Sequence, residues 1–481
     1  MKTKILLALF FAALWSCKSN DPHDVDPIDP GDGDVIVPPD QGIPLPAPYT
    51  NLTWTITQVE AGSSITKAGM QGKLLRGGDG TLYYAYFKRI STTENTCDIA
   101  VFSTGGPMPG INFDVKVAVL APGATTWDIE TLPLANLDPT VPYVTNIYGL
   151  EGVINSNDQP VFVFAGGSPS VTASCGSSDL VRATRTGKNT WNLNIPVTDS
   201  VSCCGYCAAE NCQQGDVVGP WACATLDGNN SLAIAFMDYH FLWDEDGYKK
   251  RGLELWQESG SVTGIKTWAG KGMYSQLKYL SPKDGAEYSG LIAAYTTSQS
   301  TGLYVARLIG DPNQKDAWDE QDIRTGDKIG ERISMAVAPD GTVGIAFYRV
   351  ADKNDQPKQD LVYCYSTDNG EIWVEGNHTC ETVDQENSVG QYPSLTYDKD
   401  SRALISYYYC GVGGNCTPAG DGLRFAIRTG VGSWVRRNVS FDAANMTGVF
   451  SQIVVNPDTY EPTIVFQDVT RGFAMMAQGK L

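Results

Sequence analysis

A chain of 481 residues with a formal net charge of −19 lacks the basic surface that releases counterions from phosphates. That balance argues against a nucleic-acid partner and against adsorption to anionic lipid. The length holds two or three average domains or one long all-β unit, so it does not divide the chain by itself.

The chain opens with Met1-Lys2-Thr3-Lys4 and an apolar run over residues 5–15. A charged head and a short apolar body mark an export signal, too short to span a bilayer. Leu14-Trp15-Ser16-Cys17 resembles the lipobox of bacterial lipoproteins. The resemblance implies a signal peptide over 1–16 and a lipidated Cys17 as the mature N-terminus. Lys18, where aspartate often marks inner-membrane retention, implies the outer membrane. Residues 18–48 carry seven aspartates among Pro and Gly, with apolar side chains too scattered to bury. Residues 17–48 therefore read as a lipidated, acidic tether, attached to the membrane through its anchor only.

From residue 49 to 481 the pattern is all-β: short Val, Ile, Tyr and Phe stretches between Gly, Asn, Asp and Pro turns. One unit recurs seven times, beginning at Asp98-Ile99, Asp179-Leu180, Gly252-Leu253, Gly302-Leu303, Asp360-Leu361, Gly422-Leu423 and Gly472-Phe473. A period above about forty residues points to a propeller or solenoid. Residues 391–439 show the unit best, as four short strands with turns between them. Second strands recur at Thr81–Tyr86, 160–164, 232–236, 290–295, 343–348 and 463–466, and fourth strands are marked by Trp127, Trp191, Trp268, Trp318, Trp373 and Trp434. The last unit has no such tryptophan, and the stretch 51–58 has the look of its missing strand. The expected fold is a seven-bladed β-propeller of four-stranded blades whose last blade is closed by an N-terminal strand, with six blades as the alternative. The tryptophans are read as packing wedged between sheets.

Ser366-Thr367-Asp368-Asn369-Gly370-Glu371-Ile372-Trp373 resembles the Asp-box of sialidases and other propellers of the bacterial neuraminidase repeat. In that family Ser366, Asp368, Gly370 and Trp373 would have a structural role: aspartate caps a turn, glycine supplies positive φ and tryptophan packs beneath. Sialidases use an arginine triad opened by an Arg-Ile-Pro motif, a tyrosine nucleophile assisted by a glutamate, and an aspartate acid. Leu74-Leu75-Arg76-Gly77-Gly78 and Glu331-Arg332-Ile333-Ser334 both lack the proline, so no triad carries over.

The long, dissimilar connections, among them 88–96, 166–178, 238–251, 349–359, 409–421, 133–149 and 198–220, fall on one face of such a fold. That face collects Tyr239, His240, Phe241, Trp243, Tyr248, Tyr407, Tyr408 and Tyr409, with Arg332, Arg349, Asp238, Glu151 and Asp468 at strand ends. Aromatic groups beside charged ones suit sugars and peptides, and half-buried packing is the plainer role for each. A glycosidase needs two facing carboxylates. Glu151, Asp238 and Asp468 are the candidates, against a simpler role as loop-ordering acceptors. Outside the tether only His240 and His378 remain, and there is no Gly-x-Ser-x-Gly elbow. No cofactor and no metal are expected.

With Cys17 set aside, eleven of twelve cysteines remain, so one is free or pairs between molecules. Cys203, Cys204, Cys207 and Cys212 crowd one connection and read as disulfides rather than a zinc knuckle. Cys364 with Cys380 and Cys410 with Cys416 would staple two loops, and Cys97 and Cys175 are placed for a bridge between neighbouring units. The expected function is a surface-anchored lipoprotein, a monomer, binding a glycan or another surface protein. The alternatives are a sialidase-like glycoside hydrolase acting on polysaccharide and a non-catalytic scaffold of an envelope complex.

Overall fold

The structure, a computed structural model, describes residues 42–90, 113–137, 144–167, 178–198, 217–239, 252–259, 261–266, 271–286, 288–297, 301–312, 314, 317–371, 373, 380–411, 420–442 and 444–481. After β1 (Thr53–Glu60), the first sheet comprises β2 (Met70–Arg76), β3 (Leu82–Arg89), β4 (Phe113–Leu120) and β5 (Asp128–Thr131). The second comprises β6 (Val144–Ile154), β7 (Pro160–Gly167), β8 (Asp179–Gly187) and β9 (Thr190–Val197). In the third, β10 (Val217–Val218) and β11 (Cys223–Leu226) both pair with β12 (Leu232–Tyr239), followed by β13 (Gly252–Gln257) and β14 (Val262–Lys266).

Next come β15 (Lys271–Leu280), β16 (Gly290–Thr297), β17 (Thr301–Leu308) and the 20-residue β18 (Trp318–Val337). This strand ends one antiparallel group and begins another, which continues as β19 (Val343–Ala351), β20 (Pro357–Ser366) and β21 (Cys380–Asp384), so hydrogen bonding joins seven strands. The sheet of β22 (Ser388–Tyr397), β23 (Ala403–Cys410), β24 (Gly422–Gly430) and β25 (Ser433–Phe441) follows. Last are β26 (Thr447–Val455), β27 (Pro462–Asp468) and β28 (Phe473–Lys480), with β1 on the outer edge of β28, Thr53 opposite Lys480. The stretch read as a missing strand is that edge strand.

The first strands of the sheets pack against one another: β2 against β6 and β26, β11 against β6 and β15, β18 against β15 and β22, and β22 against β26. Second strands are covered on both faces, which is why they read as unbroken apolar runs; Leu404 to Cys410 are all buried. The recurring leucine of the repeat has a specific seat. Leu361 of β20 and Leu423 of β24 are wholly buried against a glycine of the next sheet's first strand. A Cβ on Gly390 would meet Leu361 Cα at 2.7 Å, and one on Gly448 would meet Leu423 N at 2.6 Å. Both glycines hold φ near +100°, at +97° and +104°, which adds strain to the overlap. Gly448→Ala is expected to cost about 2–4 kcal/mol in urea unfolding; a cost under about 0.5 kcal/mol would show that this close approach is dispensable.

Two fourth-strand tryptophans join neighbouring sheets as expected, and they do so through a carboxylate. Glu130 of β5 accepts from Arg185 Nη2 at 2.8 Å and Trp191 Nε1 at 3.0 Å. Glu381 of β21 accepts from Arg428 Nη2 at 2.6 Å and Trp434 Nε1 at 2.9 Å.

Several expectations change. The third strand of the first sheet is β4, paired along β3 from Leu82↔Leu120 to Arg89↔Phe113; the copy placed at Asp98–Val101 lies outside the described residues. Phe113, Val115 and Val117 supply the alternate buried positions that a half-covered strand needs. Trp373 stands ahead of β21 rather than within a strand. Packed chain reaches back before residue 49: Leu45 is buried, the Ile43 carbonyl accepts from Arg437, and Ala47 O accepts from Arg402 Nη1 at 2.9 Å.

Cys364 and Cys380 form the expected disulfide across a sequence separation of 16. Cys410 is disulfide-bonded, to a partner outside the described residues. Cys17, Cys97, Cys175, Cys203, Cys204, Cys207, Cys212 and Cys416 lie outside them too. Cys223 is a buried free thiol; burial raises its pKa to about 12 although Ser275 opposes the shift, so it is unreactive as a thiolate. Replacing Cys364 and Cys380 by serine is expected to cost about 3 kcal/mol for a loop of this length; an unchanged urea midpoint would contradict it.

Candidate functional site

The first strands share a local sequence, a glycine followed two residues later by a long or aromatic side chain: Gly69-Met70-Gln71, Gly149-Leu150-Glu151, Gly219-Pro220-Trp221, Gly272-Met273-Tyr274, Gly330-Glu331-Arg332, Gly390-Gln391-Tyr392 and Gly448-Val449-Phe450. Gln71, Trp221, Tyr274, Arg332, Tyr392 and Phe450 all have positive φ, between +46° and +67°. The ladder to the second strand slips at the same place, between Met70 and Lys73, Met273 and Gln276, Gln391 and Ser394, and Val449 and Gln452. Each slip is a β-bulge, which redirects a side chain out of the ladder. Non-glycine residues at positive φ are strained, and such strain concentrates at functional sites.

These side chains meet in two groups, one of Gln71, Arg332, Phe450 and Tyr392 and one of Trp221 and Tyr274. Arg332 Nη2 donates to Gln71 Oε1 at 2.6 Å, and its guanidinium lies 5.3 Å from the Phe450 ring centroid. Phe450 meets Tyr392 edge to face at 4.5 Å, and Trp221 meets Tyr274 likewise at 5.4 Å. Trp221 also packs on Met237 and Met273, and its carbonyl accepts from Ser275 Oγ at 2.7 Å. Hydrogen bonds between neighbouring first strands hold the arrangement: Leu395 N to Ser334 Oγ at 2.9 Å, Ile453 N to Ser394 Oγ at 3.1 Å and Ser451 Oγ to Tyr392 O at 3.1 Å. Beside this group, Glu151 pairs with Lys73 at 2.7 Å. Burial would raise the Glu151 pKa, but Lys73, Lys278 and Arg332 outweigh it and hold the carboxyl below its ordinary range.

Of the residues singled out from sequence, Arg332 belongs to this cluster and Glu151 stands beside it, paired with Lys73. Tyr408 does not: it is wholly buried and its hydroxyl donates to Asp421 Oδ2 at 2.6 Å. Tyr407 donates to Asp384 Oδ2 at 2.8 Å, and Tyr409 lies under Arg424, 4.0 Å from ring centroid to guanidinium carbon. Arg349 pairs with Asp360 at 2.6 Å. Asp468 is buried, accepts from Arg471 N at 2.9 Å and orders the β27–β28 turn. Burial raises its pKa, with Arg471 opposing.

Asp238 is fully buried at the end of β12 and has an acidic neighbour that sequence reasoning passed over, Glu254 on β13. Burial, then the Asp238 charge, push the Glu254 pKa well above its ordinary value. Folding therefore takes up a proton there, and stability is lost as pH rises from the usual glutamate range through the folded pKa. Glu254→Gln is expected to flatten that slope; an unchanged profile would contradict the assignment.

Tyr239 ends β12 with its side chain outside the described residues, as are His240 and Trp243. In the turn after β20, Gly370 N donates to Ser366 Oγ at 3.1 Å, Glu371 N to Asp368 Oδ1 at 3.1 Å and Trp373 Nε1 to Gly370 O at 3.1 Å. These are turn-building contacts, with Gly370 at φ +79°. Among the described residues, no cluster of three His, Cys, Asp or Glu could hold a metal ion.

No protein-family model and no curated protein matches the chain. Solved structures resemble it. A protein of unknown function from Dyadobacter fermentans is 12% identical over 89% of this chain and 99% of its own, with a TM-score of 0.41. A Hadza microbial sialidase is 10% identical over 86% of this chain and 67% of its own, at 0.44. An α-L-arabinanase of Penicillium chrysogenum, solved with arabinobiose, is 10% identical over 89% of this chain and 97% of its own, at 0.45. At these identities and TM-scores nothing about activity or ligand passes to this chain.

Proposed function

We propose that the chain is an exported lipoprotein, anchored at the outer membrane through Cys17, whose seven-bladed β-propeller binds a glycan at the mouth of its central channel. The propeller reading is supported by the succession of first strands, each packed on the next, with β26 against β2, and by β1 completing the last sheet. The observation that carries the binding reading is the common position, at positive φ, of three half-buried side chains: Tyr274, whose ring lies beside Trp221, and Arg332 in contact with Gln71. Ring faces give a sugar its apolar contact, and amide and guanidinium groups give its hydroxyls and acidic substituents their partners.

The test is titration of the soluble chain with oligosaccharides found to bind in a screen. Arg332→Ala is expected to weaken binding about tenfold or more, with the melting profile kept; equal affinity in the variant would remove the cluster from the site. Anchoring is checked separately, since Cys17→Ala should release the protein from the membrane fraction.

The hydrolase alternative is favoured by one feature, the Asp238–Glu254 pair. A glutamate whose pKa burial and a second carboxyl push up has the character of a general acid. An enzyme would lose turnover by orders of magnitude in Glu254→Gln, whereas a binding module would keep its affinity.

A further inference from the structure

The two halves of the mouth face carry unequal amounts of chain. In an antiparallel sheet, the connection from second to third strand and the one from fourth strand to the next first strand leave by the same end. From β3 to β13 five successive connections at that end, residues 90–112, 132–143, 168–178, 198–216 and 240–251, hold 11 to 23 residues each. From β14 to β22 the next five hold five residues or fewer: 267–270, 298–300, none inside β18, 352–356 and 385–387. A length of about 4–6 residues is ordinary for such connections, so the first arc is heavily built and the second is low.

The lowest point is the crossing inside β18, which passes from the outer edge of one antiparallel group to the start of the next without leaving the ladder. Lys328 stands opposite Thr301 of β17 and also opposite Ala351 of β19. Thr325, Gly326 and Lys328 of the crossing are exposed, as are Lys353, Asn354 and Asp355 in the turn from β19 to β20. Beneath them Asp327 is buried; it accepts from Arg324 Nε at 2.8 Å and from Lys353 N at 3.0 Å, which fixes the turn to the crossing. Lys328 pairs with Asp355 at 2.7 Å. The result is a polar ridge that is ordered from below.

This ridge adjoins the mouth. Arg332 follows Thr325 by seven residues on the same strand, roughly 20 Å of extended chain. Tyr274 follows Met273, whose ladder partner Thr296 lies next to the short β16–β17 connection. A single sugar ring does not reach from Arg332 to Thr325, whereas a chain of several does.

We propose that the crossing of β18 is the exit by which an extended glycan leaves the mouth, so that the protein takes a segment of several sugars rather than one terminal sugar. One end of the segment lies at Arg332 and Tyr274, and its body crosses Thr325, Lys328 and Lys353. The ammonium groups of Lys328 and Lys353 donate to sugar hydroxyls, and the Asn354 amide both donates and accepts. An apolar partner would desolvate these groups without replacing their bonds to water. The five long connections belong to the other arc, so this is the direction in which a long ligand meets least chain. The inference rests on the glycan reading and adds the length of the ligand and the direction in which it runs.

The experiment is calorimetric titration of the protein with one series of oligosaccharides, increasing in length, from a class retained in a glycan screen. For the wild type, affinity is expected to rise about fivefold or more from the shortest sugar that binds to members several units longer. Thr325→Trp, placed on the exposed crossing, should abolish that rise while keeping the affinity for the shortest sugar and the melting temperature. Lys353→Ala should reduce the rise. Val431→Trp, on a turn at the opposite end of the sheets where Val431 is 73% exposed, should match the wild type at every length.

Affinity independent of length in the wild type would overturn the proposal, as would a rise that Thr325→Trp leaves intact or that Val431→Trp removes equally. In each of those results a sugar is still bound, so the glycan reading stands; retention of no sugar at all by the wild type would remove both.

Discussion

Asp384→Ala is expected to destabilise the protein by about 3–5 kcal/mol, a large share of the 5–15 kcal/mol typical of folded chains. Asp384 ends β21 with its carboxyl wholly buried, and it is the partner of Arg424, whose side chain is only 3% exposed and whose Nη1 lies at 2.8 Å. Arg436 reaches the other carboxyl oxygen, and Tyr407 donates its hydroxyl at 2.8 Å. Removing the carboxylate leaves a guanidinium and a phenol facing each other in a site closed to water. Glu386 lies 3.2 Å from Arg424, but its own side chain is 46% exposed, so it replaces little of what is lost. Asp384→Asn keeps one acceptor for Tyr407 and should fall between the alanine variant and the wild type. Urea unfolding checks both; a change under about 1 kcal/mol for Asp384→Ala would mean that solvent reaches Arg424 after all.

Tyr274→Ala is expected to lower glycan affinity by about 10- to 100-fold, or about 1.4–3 kcal/mol. Tyr274 is half-buried, sits at φ +52° and presents its ring beside Trp221. Truncation removes a stacking face while leaving the Ser275 bond to the Trp221 carbonyl in place, so the neighbouring backbone should hold. The change should appear chiefly as faster dissociation, the usual seat of affinity loss within one interface. Trp221→Ala is the less clean variant, because Trp221 is also packed on Met237 and Met273 and its loss opens a cavity.

The antiparallel sheets were legible in sequence because they are built from local pairs, many joined by tight turns that carry their own chemistry. Asp79 accepts from Thr81 N at 2.8 Å and Asp340 from Thr342 N at 2.9 Å, the Asx geometry that an Asp-Gly pair announces. The edge position of β1 was legible because the last unit lacked an outer strand. The first unit was misread for the opposite reason. Its third strand, β4, carries no Asp-Leu or Gly-Leu start, and the repeat signal in the other units is set by packing: Leu361 and Leu423 are backed by Gly390 and Gly448 of the next sheet.

The site was only partly legible. Glu151 and Arg332 were picked as strand-end charges, but the attention given to Tyr407, Tyr408 and Tyr409 followed side-chain type. Alternation along β23 turns those hydroxyls to Asp384, Asp421 and Asn387 within the protein. Gln71, Tyr274, Tyr392 and Phe450 were missed because a bulge reverses the inward and outward alternation on which strand reading rests, and Trp221 because it lies in the turn between β10 and β11. The spaced glycine two residues before each was the available signal.

The measurement that tests glycan binding at this mouth most directly is a glycan-array screen of the soluble chain from residue 42, run beside Tyr274→Ala, with each retained oligosaccharide re-weighed by mass spectrometry. The expected result is retention of a defined set of sugars with their masses unchanged, and loss of that set in the variant. Retention by neither protein, or equal retention by both, would contradict a glycan site at the mouth, and shortened sugars would make the protein a hydrolase.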